Sequence, residues 1–529
     1  MLFTSYGFIA FLAVLFVLYY LVPKRFQWLL LLAADIVFYA CAGWKGLCFM
    51  AATVVVSWAA TNLMGASLAK QKSFLKSDEG KTLERAERKA YKKQCEKRRK
   101  VIFVLALVAD LGILAALKYT NFLITNVNAL FSADIAAVDW VLPLGISFYT
   151  FQTVSYVIDV YWEKVEPEKN ILRVALFTSF FPLLIPGPIS RFGDLKDTLF
   201  AEHKADFKQI SFGLQRILWG YFKKLVIADR LLAAVTALCG DPLTYTGAYV
   251  FIGAVLYAFE TIIGLAFDRG IDITIGVAQV LGIKVKENFI RPYFSRNIAE
   301  YWRRWHISMG TWFKDYIFYP LSVAPWLLKL SKSARKKISD GFGRKLSVYV
   351  STIVTWFLTG LWHGAAWNFV VWGLLNAFFI LLAEEFKPVS QRFRAKHERL
   401  VSGFGYRVFE TLRTFLLMCS LRVLDCYRDV AVSFRALGTV FTDFNWGEVF
   451  SGALLQLGLT SADYLIAAVG VAVMFAVSCI QEKHGSVREV LWEKPVLCYG
   501  VFFVLAVAVL TFGAYGVGYD ATQFIYNQF

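Results

Sequence analysis

Long uninterrupted apolar runs recur along this 529-residue chain, and they restrict its fold more than any other feature. The first run lies within MLFTSYGFIAFLAVLFVLYYLVPKRF at the N-terminus, and similar runs follow up to the C-terminal region. Runs of about 18 or more apolar residues are typical of transmembrane helices. Backbone in lipid must satisfy its own hydrogen bonds, and these runs lack the short alternating segments of a membrane barrel. The sequence therefore predicts an all-α polytopic membrane protein.

We predict a single membrane-embedded domain, residues 1–529, with about eleven spans. The N-terminal run has no basic leader and no A-x-A-like cleavage site, so we expect a first span rather than a signal peptide. The spans are expected near residues 4–21, 26–42, 47–64, 101–117, 142–162, 212–239, 247–267, 349–382, 411–425, 463–480 and 496–515, the last three within a C-terminal region of 400–529.

Basic residues collect between the apolar runs and give a net charge of +17. Positive loops favour the cytoplasmic face, and they also attract anionic lipid headgroups. No nucleic-acid module is recognisable, so no nucleic-acid partner is expected. Residues 67–100 are the most basic loop, and 81–100 lack glycine and proline. We predict a cytoplasmic surface helix there, stabilised by Glu84–Arg88 and Glu96–Lys100 pairs, and either solvated or docking a partner.

Two apolar segments carry features that a plain lipid-facing helix would not tolerate. Residues 176–192, LFTSFFPLLIPGPISRF, contain three prolines and predict a broken or re-entrant segment. Residues 142–162 carry polar side chains at membrane depth, which should face protein or a cavity. These side chains are Ser147, Thr150, Gln152, Ser155 and Asp159.

The eight cysteines are scattered, and no CxxC pair occurs. Neither a zinc site nor a disulfide framework is therefore expected, and the cysteines are interpreted as small buried hydrophobic residues. The sequence has no HxxxH motif, and no metal site is predicted. A GxSxG elbow and a Walker loop are also absent from the sequence, which removes the main support for hydrolase and ATPase functions.

Residues 284–345 form a polar and basic block that we expect on the cytoplasmic or interfacial side. Its tryptophans and arginines are typical of an interfacial helix. They also suit a vestibule for an anionic donor, because arginine forks bind phosphate. Asp315 could pair with Arg304 or orient His306. The candidate binding residues of this block are Arg303, Arg304, Trp305, Trp312 and Asp315.

The stretch LWHGAAWNF, residues 361–369, places His363 inside an apolar run. A histidine at that depth is costly unless it has a partner and a role. Imidazole ordinarily titrates near neutral pH, which suits proton transfer. The small residues that follow leave space for a substrate or a close helix contact, Trp362 and Trp367 can wall a tunnel, and Asn368 can bind a polar guest. A packing histidine bonded to a neighbouring helix is the alternative.

Several long motifs occur in a fixed order along the chain. The chain resembles the membrane-bound O-acyltransferases, and most resembles the bacterial branch with the alginate and peptidoglycan O-acetylation proteins. The resemblance implies a ring of helices, with re-entrant and interfacial helices, around a central tunnel. The motifs are LPLGISFYTFQTVSYVIDVY (142–161), FFPLLIPGPISRF (180–192), GYFKKLVIADR (220–230), RNIAEYWRRWHISMGTWFKDYIFYPL (296–321), LTGLWHGAAWNFVVWGLLNA (358–377) and FIYNQF (524–529).

The resemblance implies that His363 in the WHG motif is catalytic and that His306 in the RRWH motif is its partner. It implies a multi-pass protein of the bacterial inner membrane. The protein would move a short acyl group from acetyl-CoA, a substrate rather than a bound cofactor, toward hydroxyls of a cell-surface polysaccharide. An extracytoplasmic SGNH-type transferase is the expected partner. Chemically, His363 would act as base, and His306, Asn368 or backbone N–H groups would stabilise the oxyanion.

Two segments depart from the family pattern. Residues 265–276, LAFDRGIDITIG, retain Asp272 but introduce Arg269, which could pair with Asp268 or Asp272. Residues 420–429, SLRVLDCYRD, replace an apolar run with charged side chains. Both changes indicate an altered acceptor or partner.

Two other functions remain open from the sequence. One is a D-alanyl-type transfer from a carrier-protein phosphopantetheine thioester, with the basic helix at 81–100 docking an acidic carrier. The other is a non-enzymatic transporter whose polar residues at membrane depth bind a solute, although no paired half-repeats are visible.

Overall fold

The computed structural model describes residues 5–184, 187–260 and 268–515, and within these ranges every regular element is helical. The prediction of an all-α protein is therefore confirmed. The α-helices are α1 Tyr6–Leu21, α2 Gln27–Ala40, α3 Trp44–Lys76, α4 Asp78–Thr82, α5 Arg85–Phe131, α6 Ile146–Tyr161, α7 Ile171–Ser179, α8 Phe181–Leu184, α9 Phe192–Leu199, α10 Phe207–Tyr221, α11 Asp229–Gly240, α12 Ala248–Phe259, α13 Asp268–Val280, α14 Ile298–Arg304, α15 Ile307–Phe313, α16 Tyr319–Ser322, α17 Pro325–Lys337, α18 Asp340–His363, α19 Trp367–Lys396, α20 Glu398–Ser402, α21 Phe404–Tyr427, α22 Val430–Thr442, α23 Trp446–Phe450, α24 Ser461–His484, α25 Val487–Trp492 and α26 Pro495–Phe512. Short 3₁₀ turns lie at Lys24–Phe26, Pro292–Phe294 and Ala453–Gln456, and π-helical turns lie at Phe222–Ala228 and Lys314–Phe318.

The chain divides into two compact units. The first unit comprises Met1–Gly213 and Val277–Lys286, and the second comprises Leu214–Gly276 and Glu287–Phe529. The expectation that they act as a single domain stays a prediction.

Helices long and apolar enough to cross a bilayer occur in both units. Within the described residues, α3, α5, α19, α24 and α26 meet this condition. Helices α1, α12 and α22 are apolar but shorter. A polytopic membrane protein is therefore confirmed, whereas the number of about eleven spans and the ring around a tunnel stay predictions.

The basic segment of the first unit is organised differently from the prediction. Helix α5 runs for 47 residues without a break, so its basic start is continuous with an apolar span rather than a separate surface helix. Glu84 caps α5 through a capping box with Glu87, which engages the Glu84 backbone N–H in return. In the described part of the chain neither Glu84–Arg88 nor Glu96–Lys100 forms an ion pair, so the two predicted pairs are wrong.

Helix α6 of the first unit is buried along almost its whole length. Thr150, Gln152, Ser155 and Asp159 are all buried, and Ser147 is half-buried. The prediction that these polar groups face protein or a cavity rather than lipid is confirmed for the four buried side chains, which explains how they persist in an apolar helix.

The proline-rich segment of the first unit is broken, as predicted. Helix α7 ends at Ser179, and α8 begins at Phe181. The buried carboxylate of Asp35 holds the break, because it accepts hydrogen bonds from the Ser179 hydroxyl (3.0 Å) and the Phe181 N–H (2.8 Å). Pro186 lies outside the described residues.

In the second unit, the apolar run 349–382 is not one span, so that prediction is wrong. Helix α18 ends at His363 and α19 begins at Trp367. Gly364 (φ −172°) and Ala366 (φ −154°) are extended and cannot continue a helix. His363 therefore lies at the end of a helix, beside the bend, rather than in the middle of a span.

Helices α18 and α19 pack closely as a hairpin because glycines face the contact. A Cβ at Gly360 would lie 2.4 Å from the Phe369 carbonyl oxygen, and one at Gly373 would lie 2.3 Å from the Trp356 carbonyl oxygen. Small residues allow this backbone approach. The Cβ of an alanine at position 364 would also collide with the Phe369 ring. The sequence left open whether these small residues make space for a substrate or for a helix contact.

A disulfide joins Cys239 of α11 to Cys426 of α21, with a sequence separation of 187 and a Cα–Cα distance of 5.7 Å. The interpretation of all cysteines as unpaired buried hydrophobic residues is therefore wrong for this pair. Sequence spacing carries no signal for it, since helix packing in the second unit brings the two residues together. Helix α21 also packs on α12 through a cluster of Ala254, Ala258, Cys419 and Val423.

Candidate active site

The two histidines expected from the sequence pack against the same side chain, Trp362. The ring centroid of Trp362 lies 5.6 Å from that of His306 and 5.0 Å from that of His363. Trp362 is only 3% exposed. All three residues belong to the second unit, and the structure thus brings together side chains that are far apart in sequence.

His306 lies in the break between α14 and α15, with its backbone in the left-handed region (φ +46°). For a residue other than glycine such a conformation costs about 1–3 kcal/mol, and it is common at functional sites. The side chain is fully buried. The local backbone is pinned by the Ile307 N–H, which donates to the Asn288 carbonyl oxygen (2.9 Å).

The amide of Asn288 fixes the orientation and the tautomer of His306. Asn288 Oδ1 accepts hydrogen bonds from the Ser308 N–H (2.9 Å) and hydroxyl (2.8 Å), so the other amide atom must be the NH₂ group. That group lies 3.2 Å from His306 Nδ1, which is therefore the acceptor. The ring proton then resides on Nε2, and His306 is a hydrogen-bond donor at that atom.

Burial lowers the pKa of His306 to about 3. The ring is consequently neutral throughout the physiological range. A neutral imidazole with its proton on Nε2 is suited to donating a hydrogen bond to developing negative charge. It is less suited to acting as the base.

We expect the stability of the protein to fall as the pH decreases from about 6.5 toward 3, and His306 to contribute to that fall. The unfolded imidazole takes up a proton below its ordinary pKa of about 6.5, whereas the buried ring stays neutral until about pH 3, so protons favour the unfolded state in this window. Thermal unfolding of detergent-solubilised protein at pH 7.5 and 4.5 measures the effect. His306→Gln, which does not titrate, should show a smaller decrease in Tm; equal decreases would contradict burial of a neutral ring.

His363 is half-buried and lies at the C-terminus of the 24-residue helix α18. Its ring contacts Trp372 (4.6 Å between centroids) and lies 6.4 Å from Phe369. The carbonyl end of a helix carries partial negative charge and stabilises a cation. His363 therefore occupies a position that favours the imidazolium formed when a histidine accepts a proton.

A cluster of tryptophans surrounds the two histidines. Trp302 packs on Trp356 (4.6 Å) and Trp372 (5.7 Å), and its indole N–H donates to Asn376 Oδ1 (3.2 Å). Sequence reasoning selected Trp362 and Trp367 as walls. Trp367 is instead 57% exposed, and Trp372 takes the place against His363.

Of the two predicted phosphate-binding arginines, Arg304 is engaged by carboxylates. Its guanidinium pairs with Glu300 (2.9 Å) and Glu482 (3.3 Å), so the suggested pairing with Asp315 is wrong. Arg291 also pairs with Glu482 (2.5 Å). Arg303 is exposed, and it takes no part in these ion pairs of the described residues.

Trp305 and Trp312 are buried, and Asp315 is half-buried. Trp312 packs on Tyr316 (5.3 Å between centroids), and Trp305 packs on Phe289 (4.9 Å). These tryptophans are therefore packed inside the segment around His306. Their contact with substrate stays a prediction.

The charged segment 420–429 lies beside the site. Asn368, 2% exposed, donates from Nδ2 to the Leu424 carbonyl (3.1 Å). Arg422, two residues earlier, stacks over the Trp305 ring at 4.3 Å and donates from Nη2 to the Tyr301 hydroxyl (3.3 Å). The second segment that departs from the family pattern therefore contacts the neighbours of both histidines.

The first divergent segment is described only in part. Asp272 pairs with Lys223 and with Arg216 (2.8 Å). The side chain of Arg269, which was expected to pair with an aspartate, lies outside the described residues. The C-terminal motif at 524–529 also lies outside them.

Sequence reasoning missed Asn288, Trp302, Trp356 and Trp372. Asn288 precedes the RRWH block by more than a dozen residues and belongs to no recognisable motif. Trp356 and Trp372 lie six residues before Trp362 and five after Trp367, which is not the three- or four-residue spacing of one helix face, so their spacing carries no signal.

Comparison of the sequence with known proteins finds a family model and relatives that match it. Residues 168–336, which include Asn288 and His306, match the family described as MBOAT, membrane-bound O-acyltransferase family. A probable alginate O-acetylase AlgI of Azotobacter vinelandii is 34% identical over 385 residues, covering 70% of this chain and 66% of that protein. A probable alginate O-acetylase AlgI of Pseudomonas syringae pv. tomato is 30% identical over 455 residues, covering 84% of this chain and 76% of that protein.

A more distant relative is the peptidoglycan O-acetyltransferase of Helicobacter pylori, 28% identical over 316 residues, which cover 55% of this chain and 56% of that protein. The two alginate O-acetylase relatives match over 70% and 84% of this chain, and the described residues form an all-helical membrane protein. The chain therefore belongs to the membrane-bound O-acyltransferase family and is an O-acyltransferase enzyme.

Proposed function

We propose that this enzyme transfers an acetyl group from acetyl-CoA to hydroxyl groups of a cell-surface polysaccharide. The observation that carries the proposal is the packing of His306 and His363 on one tryptophan, with different surroundings that suit different tasks. The names of the alginate and peptidoglycan O-acetylating relatives support acetyl as the group and a polysaccharide as the acceptor.

In the proposed reaction His363 accepts the proton of an acceptor hydroxyl as its oxygen attacks the thioester carbonyl. A C–O bond forms, and the carbonyl electrons move to the oxygen, where the neutral His306 Nε2–H stabilises the charge. When the carbonyl re-forms, the C–S bond breaks. The imidazolium of His363 returns its proton to the leaving thiolate, which gives an ester and a free thiol.

The surroundings of the two rings support this division of roles. His363 lies at the carbonyl end of α18, where an imidazolium is favoured. His306 is held neutral by burial and is oriented by Asn288. The tryptophans around both rings limit access of water, which protects the thioester from hydrolysis.

We further propose that the donor arrives from the cytoplasmic face, where the exposed Arg303 is available to its phosphates. The enzyme would be a multi-pass protein of the bacterial inner membrane. An extracytoplasmic SGNH-type transferase would complete delivery to the polysaccharide. A neighbouring gene that encodes such a transferase would support this choice of partner.

Purified full-length protein in detergent should release CoA from labelled acetyl-CoA or transfer the label to an acceptor hydroxyl, and full delivery to a polysaccharide should require the partner transferase. His397→Ala is a matched control, because this histidine packs on Phe393 near the end of α19 and has no place in the proposed reaction. It should retain wild-type turnover. Label transfer only from a phosphopantetheine-linked carrier protein would overturn the choice of donor, and solute uptake by proteoliposomes without thioester consumption would overturn the enzyme proposal.

A further inference from the structure

We propose that Arg216 is a positioning residue for His306. It binds Glu287, which immediately precedes Asn288, and the amide of Asn288 orients the His306 ring. Arg216, Asp272 and Glu287 are named here the Arg216 clamp. The inference rests on the proposed acetyl transfer, because it connects the clamp to the ring that stabilises the oxyanion in that reaction.

All three guanidinium nitrogens of Arg216 donate to the carboxylates of the clamp. Nε donates to Asp272 Oδ1 (2.8 Å), and Nη1 and Nη2 donate to the two oxygens of Glu287 (2.5 and 2.6 Å). The second oxygen of Asp272 accepts a hydrogen bond from the buried Lys223. A pair of parallel N–H···O bonds fixes direction as well as distance. Arg216 therefore joins α13, which carries Asp272, to the segment that begins at Glu287.

The pair of Arg216 with Glu287 differs from an ordinary surface ion pair. The side chain of Arg216 is 12% exposed and that of Asp272 is 11% exposed, although that of Glu287 is 46% exposed. Exposed ion pairs contribute little unless the geometry is bidentate or several charges form a network. Both conditions are met here, because Arg216 binds both oxygens of Glu287 and shares Asp272 with Lys223. The clamp can therefore restrain the start of the segment.

Segment 287–291 lies along the chain around His306. Asn288 is fully buried in this segment, so its amide is enclosed by its neighbours and moves with its own backbone. Two backbone hydrogen bonds join the two stretches. They run from the Ile307 N–H to the Asn288 carbonyl oxygen and from the Ile290 N–H to the Arg304 carbonyl oxygen (both 2.9 Å).

The segment is held on both sides of Asn288 by pairs of a guanidinium with a carboxylate. Glu287 is bound by Arg216, and Arg291 pairs with Glu482 (2.5 Å). Consecutive Cα atoms are about 3.8 Å apart across a rigid peptide plane, so a displacement of Glu287 is passed on to Asn288. A misplacement of about 1 Å can cost about a hundredfold in rate. Loss of the clamp should therefore disturb the ring that Asn288 orients.

Glu287→Gln tests the clamp, because it removes the charge and one of the two acceptors at an exposed position that tolerates an amide. With full-length protein in detergent and labelled acetyl-CoA, kcat for CoA release should fall about tenfold or more, with the KM for acetyl-CoA unchanged. Arg216→Lys keeps the charge but loses the planar fork, so it should behave alike. Lys286→Gln is the matched control, since it removes an exposed ion pair with Asp194 one residue earlier and should retain wild-type kcat.

A double-variant cycle separates positioning from a general structural role. In the His306→Ala background there is no ring to orient, so adding Glu287→Gln should lower kcat by less than about twofold. A general loss of structure would lower kcat by the same factor in both backgrounds.

Carbethoxylation of His306 by diethyl pyrocarbonate measures the clamp without turnover. The reagent acylates an imidazole nitrogen that carries no proton, which in His306 is Nδ1, and the Asn288 amide covers that atom at 3.2 Å. Labelling of His306, measured by mass spectrometry relative to the exposed His397, should be about tenfold faster in Glu287→Gln than in the wild type. Lys286→Gln should label at the wild-type rate.

Unchanged kcat in Glu287→Gln would overturn the inference, and so would unchanged labelling of His306. An equal fractional loss of kcat in the His306→Ala background would also overturn it. If Glu287→Gln does not fold, Arg216→Lys is measured in the same ways and decides. If the wild-type protein releases no CoA from acetyl-CoA, the proposed function fails, whereas the labelling rates still decide whether the clamp orients His306.

Discussion

His363→Ala is expected to lower kcat for acetyl transfer by about 10²–10⁴-fold, which is the usual contribution of a positioned general base. The hydroxyl of a sugar is a poor nucleophile until its proton is removed, and the variant leaves no imidazole at the carbonyl end of α18. Because the side chain acts mainly in the transition state, the KM for acetyl-CoA should change little. Release of CoA from labelled donor, measured against equal amounts of folded protein, gives the rate.

His397→Ala is the control for this variant, since it removes a histidine from the same helical hairpin without touching the tryptophan cluster. Tryptophan fluorescence and thermal unfolding should be close to wild type for both proteins. Turnover by His363→Ala within a factor of a few of the wild-type value would show that another group takes the proton, and the proposed mechanism would then fail.

His306→Ala is expected to lower kcat by about 10²–10³-fold, the effect of removing one donor from an oxyanion site. His306→Gln retains an N–H₂ donor at a similar reach and should recover part of the lost rate. The shape of the pH profile between pH 5 and 8 should be the same in the wild type and His306→Gln, because burial lowers the pKa of His306 to about 3 and the ring does not titrate there. Stopped assays over this pH range provide the measurement.

Loss of an ionisation near neutral pH in His306→Gln would contradict the assignment of this ring as a neutral donor. The double variant of His306 and His363 gives a further check. Residues that act in one transition state are strongly non-additive, so the double variant should lose much less than the product of the two single losses. Full additivity would indicate that the two histidines act independently.

Much of this architecture can be predicted from the sequence, because the features that indicate it lie within single segments of the chain. Apolar runs identify membrane helices, and the prolines after Phe181 identify a broken segment. The two histidine motifs are conspicuous because a histidine is costly among apolar residues. The structure then places both rings on Trp362, although the roles of these residues stay predictions.

The features that escaped sequence reasoning all depend on contacts distant in sequence. Asn288 sets the tautomer of His306 through a side-chain amide, and Asp35 holds a break almost 150 residues away. The bend after His363 reads as part of an apolar run, since glycine and alanine are as compatible with a span as with a turn. Only the structure shows that these residues form a turn here.

The covalent link between Cys239 and Cys426 has a consequence for how the chain is inserted. Such bonds persist in oxidising compartments, so the C-terminal ends of α11 and α21 are expected outside the cell's reducing interior. Helix α21 begins at Phe404 and follows the basic stretch 387–399, which we expect on the interior side because positive loops prefer it. We expect the bond to close once the C-terminal ends of both helices have reached that compartment, which then links α11 covalently to α21.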